Sequence, residues 1–331
     1  MTLVHAKSPC CRARVVRFGS RRRQCVQCNR TWRIRSKKRG RKRVRVHPNV
    51  EKIAFASSES LRHRAQRLKK GREFLRRRHS QVMDKLIKKL PSPQAPPGPL
   101  IAIIDGWIRF FDQKAYTLYL ILLRSTHSTR AILTQPVILA GHENIDGWKE
   151  AFSTLDPAII ERICAVVSDG VTGFHVFARE RNWILQRCHI HLLRTLYPLL
   201  GKRCSTPQHK GLRKRMYQLV LNILETSNHK RAEQLVSQLS EMANYPYCPK
   251  WFGMRTRGFL KQYQDFHSYL KHPELNLPIT TNSAESVFRL LSDTVRQTRG
   301  FRTPQAMNKW ITLQFKIIKS IKCNGFTYQP N

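Results

Sequence analysis

Residues 100–104 read Leu-Ile-Ala-Ile-Ile, five apolar positions without a polar break, followed by Asp105 and Gly106. A short β-branched run closed by a turn pair predicts a strand covered on both faces and ending at Asp105. The pattern returns at 163–168, Ile-Cys-Ala-Val-Val-Ser, followed by Asp169 and Gly170. Between the two, residues 116–123 alternate and then turn wholly apolar, and 130–140 is again strand-like. A hairpin at 112–114 and a polar turn at 125–129 join these strands. A helix is expected at 146–155, another at 173–181 and a fifth strand at 183–186. Helical periodicity then dominates 192–278, with segments at 210–225, 230–243 and 251–270, followed by helices at 279–298 and 304–319.

The order is three strands joined by hairpins, then helical crossovers to two more. This is an α/β chain with a mixed sheet and an α-helical insertion at about 192–278, in the order of a ribonuclease H-like fold. In that order the first and fourth strands are neighbours, so Asp105 and Asp169 stand side by side. Two carboxylates held together need compensating charge, and a divalent cation supplies it. The alternative is that each Asp-Gly pair is simply a turn.

Ahead of this body the chemistry changes. Cys25-x-x-Cys28 follows Cys10 and Cys11 at hairpin length, the spacing of a zinc-ribbon-like unit over 1–35. Such ribbons open Cys-Pro-x-Cys, whereas here Ser8 holds the first position. Cys11, Cys25 and Cys28 are then the ligands in register, and the fourth is open between Cys10 and His5. A degenerate ribbon without metal is the alternative. Residues 33–45 hold nine Lys or Arg in thirteen, Arg39, Arg41, Lys42 and Arg43 among them, and the linker 36–48 can grip phosphate without reading sequence. Residues 49–90 predict a short helix around Val50 and Phe55, a second at 60–68, a turn at 69–71 and a third helix at 72–90. This resembles a helix-turn-helix, with Arg72, Arg76, Arg77 and His79 facing a groove, or else it is a basic helical linker. The proline-rich stretch 91–99 reads as a stiff spacer before a body at 100–320, with 321–331 as a tail.

Composition sharpens this picture. The 331 residues carry a formal charge of +41, of which +26 falls in the first 99. So large an excess points to a polyanionic partner, most often nucleic acid. No apolar run reaches 18 residues and the N-terminus lacks an apolar signal core, so a cytoplasmic, nucleoid-associated protein with reduced cysteines is expected. In that setting clustered cysteines favour metal over disulfides.

The combination of IAIIDGW, VVSDG, LQRCHIHLLR and TTNSAESVFRLLSDTVRQTRGF resembles the Asp-Asp-Glu insertion-sequence transposases related to the Mutator group. The likeness covers about 5–32 and 100–320. It implies a catalytic triad of Asp105, Asp169 and Glu285 holding Mg²⁺ or Mn²⁺, with Zn²⁺ in the ribbon. It further implies a double-stranded DNA partner, comprising the element's terminal inverted repeats and the target, and a homodimer or larger assembly on that DNA. Cys188 and His191 match the family's Cys-x-x-His pattern, read here as a structural motif anchoring the insertion. Glu285 has a rival role, because Asn282 three residues earlier gives it capping-box spacing. Trp251, Arg255, Arg257 and Lys261 are candidates for lining a DNA channel, or form one face of an amphipathic helix.

Overall fold

The computed structural model describes residues 7–19, 22–33, 61–201, 207–298 and 301–323. The chain divides into two compact units, Met1–Ser57 and Ser58–Asn331. His5, the expected helix around Val50, and Arg39, Arg41, Lys42 and Arg43 lie outside the described residues.

The first unit is a three-stranded antiparallel sheet, β1 (Val15–Arg17), β2 (Arg22–Cys25) and β3 (Thr31–Arg33), in sequence order. The knuckle between β2 and β3 turns on Asn29, whose φ of 53° is left-handed, a conformation asparagine tolerates better than most residues.

The second unit begins with α1 (Leu61–Arg67) and α2 (Arg72–Lys89), which pack together across a turn with Lys69 at positive φ. Both helices group with the body rather than forming a separate 49–90 domain. The proline-rich stretch is also no free spacer. Arg162 binds the Gly98 and Pro96 carbonyls, and Ala95 packs against the main core.

The sheet follows. β4 (Leu100–Phe111) and β5 (Lys114–Ser125) form a long antiparallel hairpin that turns on Asp112 and Gln113, both at positive φ. β4 therefore does not end at Asp105: pairing with β5 carries it through Gly106 for six more residues. The expected third strand is two, β6 (Arg130–Leu133) and β7 (Val137–Ala140), each paired to a different part of β5. Pro136, which cannot donate to a ladder, lies in the break between them. After α3 (Ile145–Ser153) and the one-turn α4 (Pro157–Ile160) comes β8 (Ile163–Ser168), parallel to β4. Then α5 (Phe174–Glu180) leads to β9 (Ile184–Arg187), parallel to β8.

The helical insertion comprises α6 (His189–Leu200), α7 (Pro207–Glu225), α8 (His229–Asn244), α9 (Lys250–Leu260) and the short α10 (Ser268–Lys271). The helix expected at 251–270 breaks after Leu260 into 3₁₀ turns. The insertion has its own core, built around Leu196, Met216, Ile223, Leu239 and Phe259. It is tied to β9 by Gln186, which bonds the Phe266 carbonyl and the Tyr269 N–H, and by Ser268, which donates to the Leu185 carbonyl.

α11 (Asn282–Thr298) packs on β4, and α12 (Pro304–Ile318) packs on β6, β7 and α2. The chain then returns to the sheet as β10 (Ser320–Lys322), antiparallel to β6, so the expected tail from 321 begins inside a strand. The sheet order is β10-β6-β5-β4-β8-β9, with β7 also on β5. On one face Leu100, Ala102 and Ile104 join Trp148, Phe152, Phe174 and Phe177 in the main core. With a period of two, Ile101, Ile103 and Asp105 belong to the other face, the one α11 covers.

Candidate active site

The parallel register pairs Ile103 with Val167, so two residues further on both strands bring Asp105 beside Asp169. Asp105 is buried although β8 has ended, because β5 still pairs with β4 on its other side. Ligand atoms of Asp105, Asp169 and His191 all lie within 4.8 Å of one another. Burial and the neighbouring Asp169 charge push the Asp105 carboxyl up to about 8.

His191 enters from the first turn of α6. Its Nδ1 lies 3.3 Å from the Cys188 thiol and 3.4 Å from the Thr281 hydroxyl, and its Nε2 lies 3.7 Å from Glu285. The hydrogen bond with Cys188 comes first in raising the imidazole to about 9, against burial, and the Asp105 and Asp169 charges add to it. Cys188 is fully buried. Burial raises its thiol, but hydrogen bonds from His191 and from the Thr281 N–H outweigh that and hold it below the ordinary range. Cys188 thus anchors the α6 start to the segment before α11, while His191 also faces the acids.

Glu285 lies in the first turn of α11. Its carboxylate pairs with Arg194, one helical turn beyond His191, and approaches His191. Among the described residues it makes no hydrogen bond to the backbone of its own helix end. The capping-box alternative is therefore not the arrangement found.

Behind Asp169 the chain makes a tight exit. Gly170 has φ 103°, and a Cβ there would sit 1.7 Å from Arg187 Nη2. That guanidinium donates to the Asp169 carbonyl at 3.4 Å and to Gln262 at 2.9 Å, and it stands over the Phe266 ring. Gly170→Ala is expected to cost about 2–3 kcal/mol through backbone strain and overpacking. Differential scanning calorimetry should then show the melting temperature fall by roughly 5–10 °C.

Two neighbours of these acids escaped the sequence reading. Arg194 is one of many basic residues, and nothing in its spacing marks it. Glu143 precedes the α3 N-cap Asn144, where an acid reads as helix-end polarity. Its Oε1 accepts from Trp148 Nε1 at 2.8 Å, and it shares a cleft of about 520 Å³ with Asp169.

The family model described as Transposase, Mutator family matches residues 125–319. The chain belongs to the Mutator family of transposases. No curated protein matches it. The matched segment contains Asp169, Cys188, His191 and Glu285. Asp105 and the cysteine-bearing unit of this transposase lie outside it.

In that unit the sulfurs of Cys10, Cys11, Cys25 and Cys28 lie within 4.8 Å of one another. Adjacent Cys10 and Cys11 both belong to this cluster. Ser8 is buried beside this cluster. Its hydroxyl accepts from the N–H groups of Cys11 and Ala13 and lies 3.3 Å from the Cys25 sulfur.

Of the basic candidates, Arg72, Arg76 and Arg77 are exposed on α2, with Arg76 and Arg77 paired to Glu73 at 2.8 and 3.0 Å. The far end of α2 is pinned to α12 by Lys309, which bonds Asp84 and Ser80. Trp251 and Arg255 are exposed on α9, whereas Arg257 donates to the Ala243 carbonyl, an anchor within the insertion.

Proposed function

We propose that this transposase is a ribonuclease H-like, Asp-Asp-Glu enzyme that binds the ends of its element and cleaves and transfers DNA strands. The observation that carries this reading is the convergence of Asp105, Asp169 and Glu285 around His191 from two parallel strands and the final helical pair. The donor set fits a hard divalent cation. The carboxylates are oxygen ligands, two of them in mutual reach, and the cluster already recruits the positive charge of His191 and Arg194. Asp105, Asp169 and Glu285 would hold Mg²⁺ or Mn²⁺. When bound, such ions activate the attacking oxygen and stabilise the leaving one at a phosphodiester.

The chain's own part is positional. Asp105 and Asp169 fix the site at the end of the parallel strand pair, and Arg194 holds Glu285 toward it from α6. The rigid sheet sets the geometry for in-line displacement. Four thiolates in the first unit fit Zn²⁺, and that unit with the basic stretch and α2 would supply specific contact to element ends. Assembly as a dimer would bring two ends together.

Strand transfer with a labelled element end tests the reading. Wild-type protein with Mn²⁺ should join the end to target DNA, and Asp169→Ala should bind the end normally but join nothing. Wild-type binding with no cleavage would instead identify a regulator that kept the fold. Removing residues 1–90 is expected to end preference for element ends in a gel-shift titration. Unchanged preference would refute that division of labour.

A further inference from the structure

We infer that Glu143 is a fourth carboxylate of the active site, reaching the divalent-cation centre from the face of the sheet opposite Glu285. The inference rests on the Asp-Asp-Glu reading and extends it. Three structural features carry it.

The first is the cleft. Glu143 and Asp169 line the same cavity, between the loop that opens α3 and the loop that leaves β8. Asp169 is therefore flanked on both sides, by Asp105 and His191 on one and by this cavity on the other.

The second is the anchoring. Trp148 is fully buried in the main core, and its indole N–H fixes Glu143 Oε1. Oε2 has no protein hydrogen bond among the described residues. Glu143 thus lines an open cleft shared with Asp169 while the scaffold holds only one of its two oxygens. One oxygen held by the scaffold and one left free is the arrangement of a supported metal ligand.

The third is the accommodation made by β4. A Cβ on Gly106 would stand 2.4 Å from the Glu143 carboxyl carbon and 2.5 Å from Oε2. The strand gives up a side chain next to Asp105, and Glu143 occupies the space. Neither the Asp105-Gly106 turn reading nor the strand reading accounts for glycine here, since β4 runs straight through this position with pairing intact. Glycine within a strand marks a close approach, and the approaching group is this carboxylate.

Mn²⁺ binding to the full chain, read by electron paramagnetic resonance without DNA, tests the assignment. Glu143→Gln keeps an acceptor for Trp148 and removes the charge, so unchanged Trp fluorescence and melting will certify the fold. It is expected to weaken Mn²⁺ binding about 10–100-fold. Gly106→Ala, which displaces the same carboxylate, should weaken binding in the same direction. Asp105→Asn run in parallel separates the possible failures. If Asp105→Asn weakens binding while Glu143→Gln binds as wild type does, the fourth carboxylate is overturned and the triad stands. If neither substitution alters binding, the triad reading falls and this inference with it.

Discussion

Asp105→Asn is expected to abolish Mg²⁺-dependent strand cleavage, by at least about 10³-fold, and to make the metal-free protein more stable. Loss of activity follows from the proposed Asp-Asp-Glu reading, in which Asp105 would hold the cation, since most of the barrier reduction in phosphoryl transfer is charge placement. The gain in stability follows from what the fold pays to keep that ligand. The Asp105 carboxyl is buried against Asp169 and rises from an ordinary 3.8 to about 8. The unfolded chain loses this proton more readily than the folded one, so ionisation favours unfolding. The penalty is absent below pH 4, grows from pH 4 to 8 and is then constant. Near pH 7.5 it is on the order of 5 kcal/mol, and asparagine escapes it. Thermal melts in chelator should show wild type and variant coinciding near pH 4 and the variant melting several degrees higher at pH 8. Adding Mg²⁺ should raise the melting temperature of the wild type and leave the variant where it was. A variant that still cleaves, or a stability difference that does not change with pH, would remove Asp105 from the site.

That pairing of activity with strain also explains which parts of the site were legible. Continuous apolar runs before Asp105 and Asp169 mark strands buried on two faces, and hairpin-then-crossover order makes those strands neighbours. Local pattern therefore reaches the two aspartates. It misjudges the end of β4, because the Asp-Gly pair that signals a turn elsewhere is overridden by an unbroken ladder with β5. It runs β6 and β7 together as one strand, though Pro136 carries the signal of a break. Glu285 is reached only by resemblance, since capping and ligation put an acid at the same helical position. Its partner in the fold is Arg194, and that contact spans 91 residues of chain, beyond the reach of any local pattern. Glu143 has no local mark at all. Its role depends on Gly106, Trp148 and Asp169 converging through the sheet, and only tertiary structure brings those together. The proline-rich stretch fails for a similar reason: composition gives its stiffness, but Arg162 decides that it lies docked.

Cys25→Ser is expected to unfold the first unit, reducing bound zinc from about one ion per chain to background. A sheet of three strands this short buries almost nothing of its own, and domains of that size hold together through metal or disulfides. Four sulfurs within 4.8 Å match a closed tetrahedral thiolate site, in which zinc–sulfur bonds of about 2.3 Å set the spacing. Cys25 is the buried member. The hydrogen bond with Ser8, aided by the N–H groups of Cys28 and Gln27, draws its thiol down to about 6 against burial. Cys11 moves the other way, pushed up to about 12 by its hydrogen bond with Cys28, by burial and by its other neighbouring sulfur. Near pH 7 the metal-free cluster therefore holds one ready thiolate and at least one firmly held proton that zinc must displace. Zinc uptake should release protons and weaken as pH falls, most steeply below about pH 6, where Cys25 also regains its proton. Competition with a chromophoric chelator between pH 5.5 and 8 measures that slope. Two further substitutions test the ligand set. Cys10→Ser should lose zinc about as completely as Cys28→Ser if the adjacent pair shares the ion, whereas retention would return the fourth place to His5. Ser8→Ala strips the hydrogen bond from Cys25 and leaves the Cys11 and Ala13 N–H groups unpaired. It should keep the ion but weaken it about 10-fold, the behaviour of a residue that orients a ligand without being one.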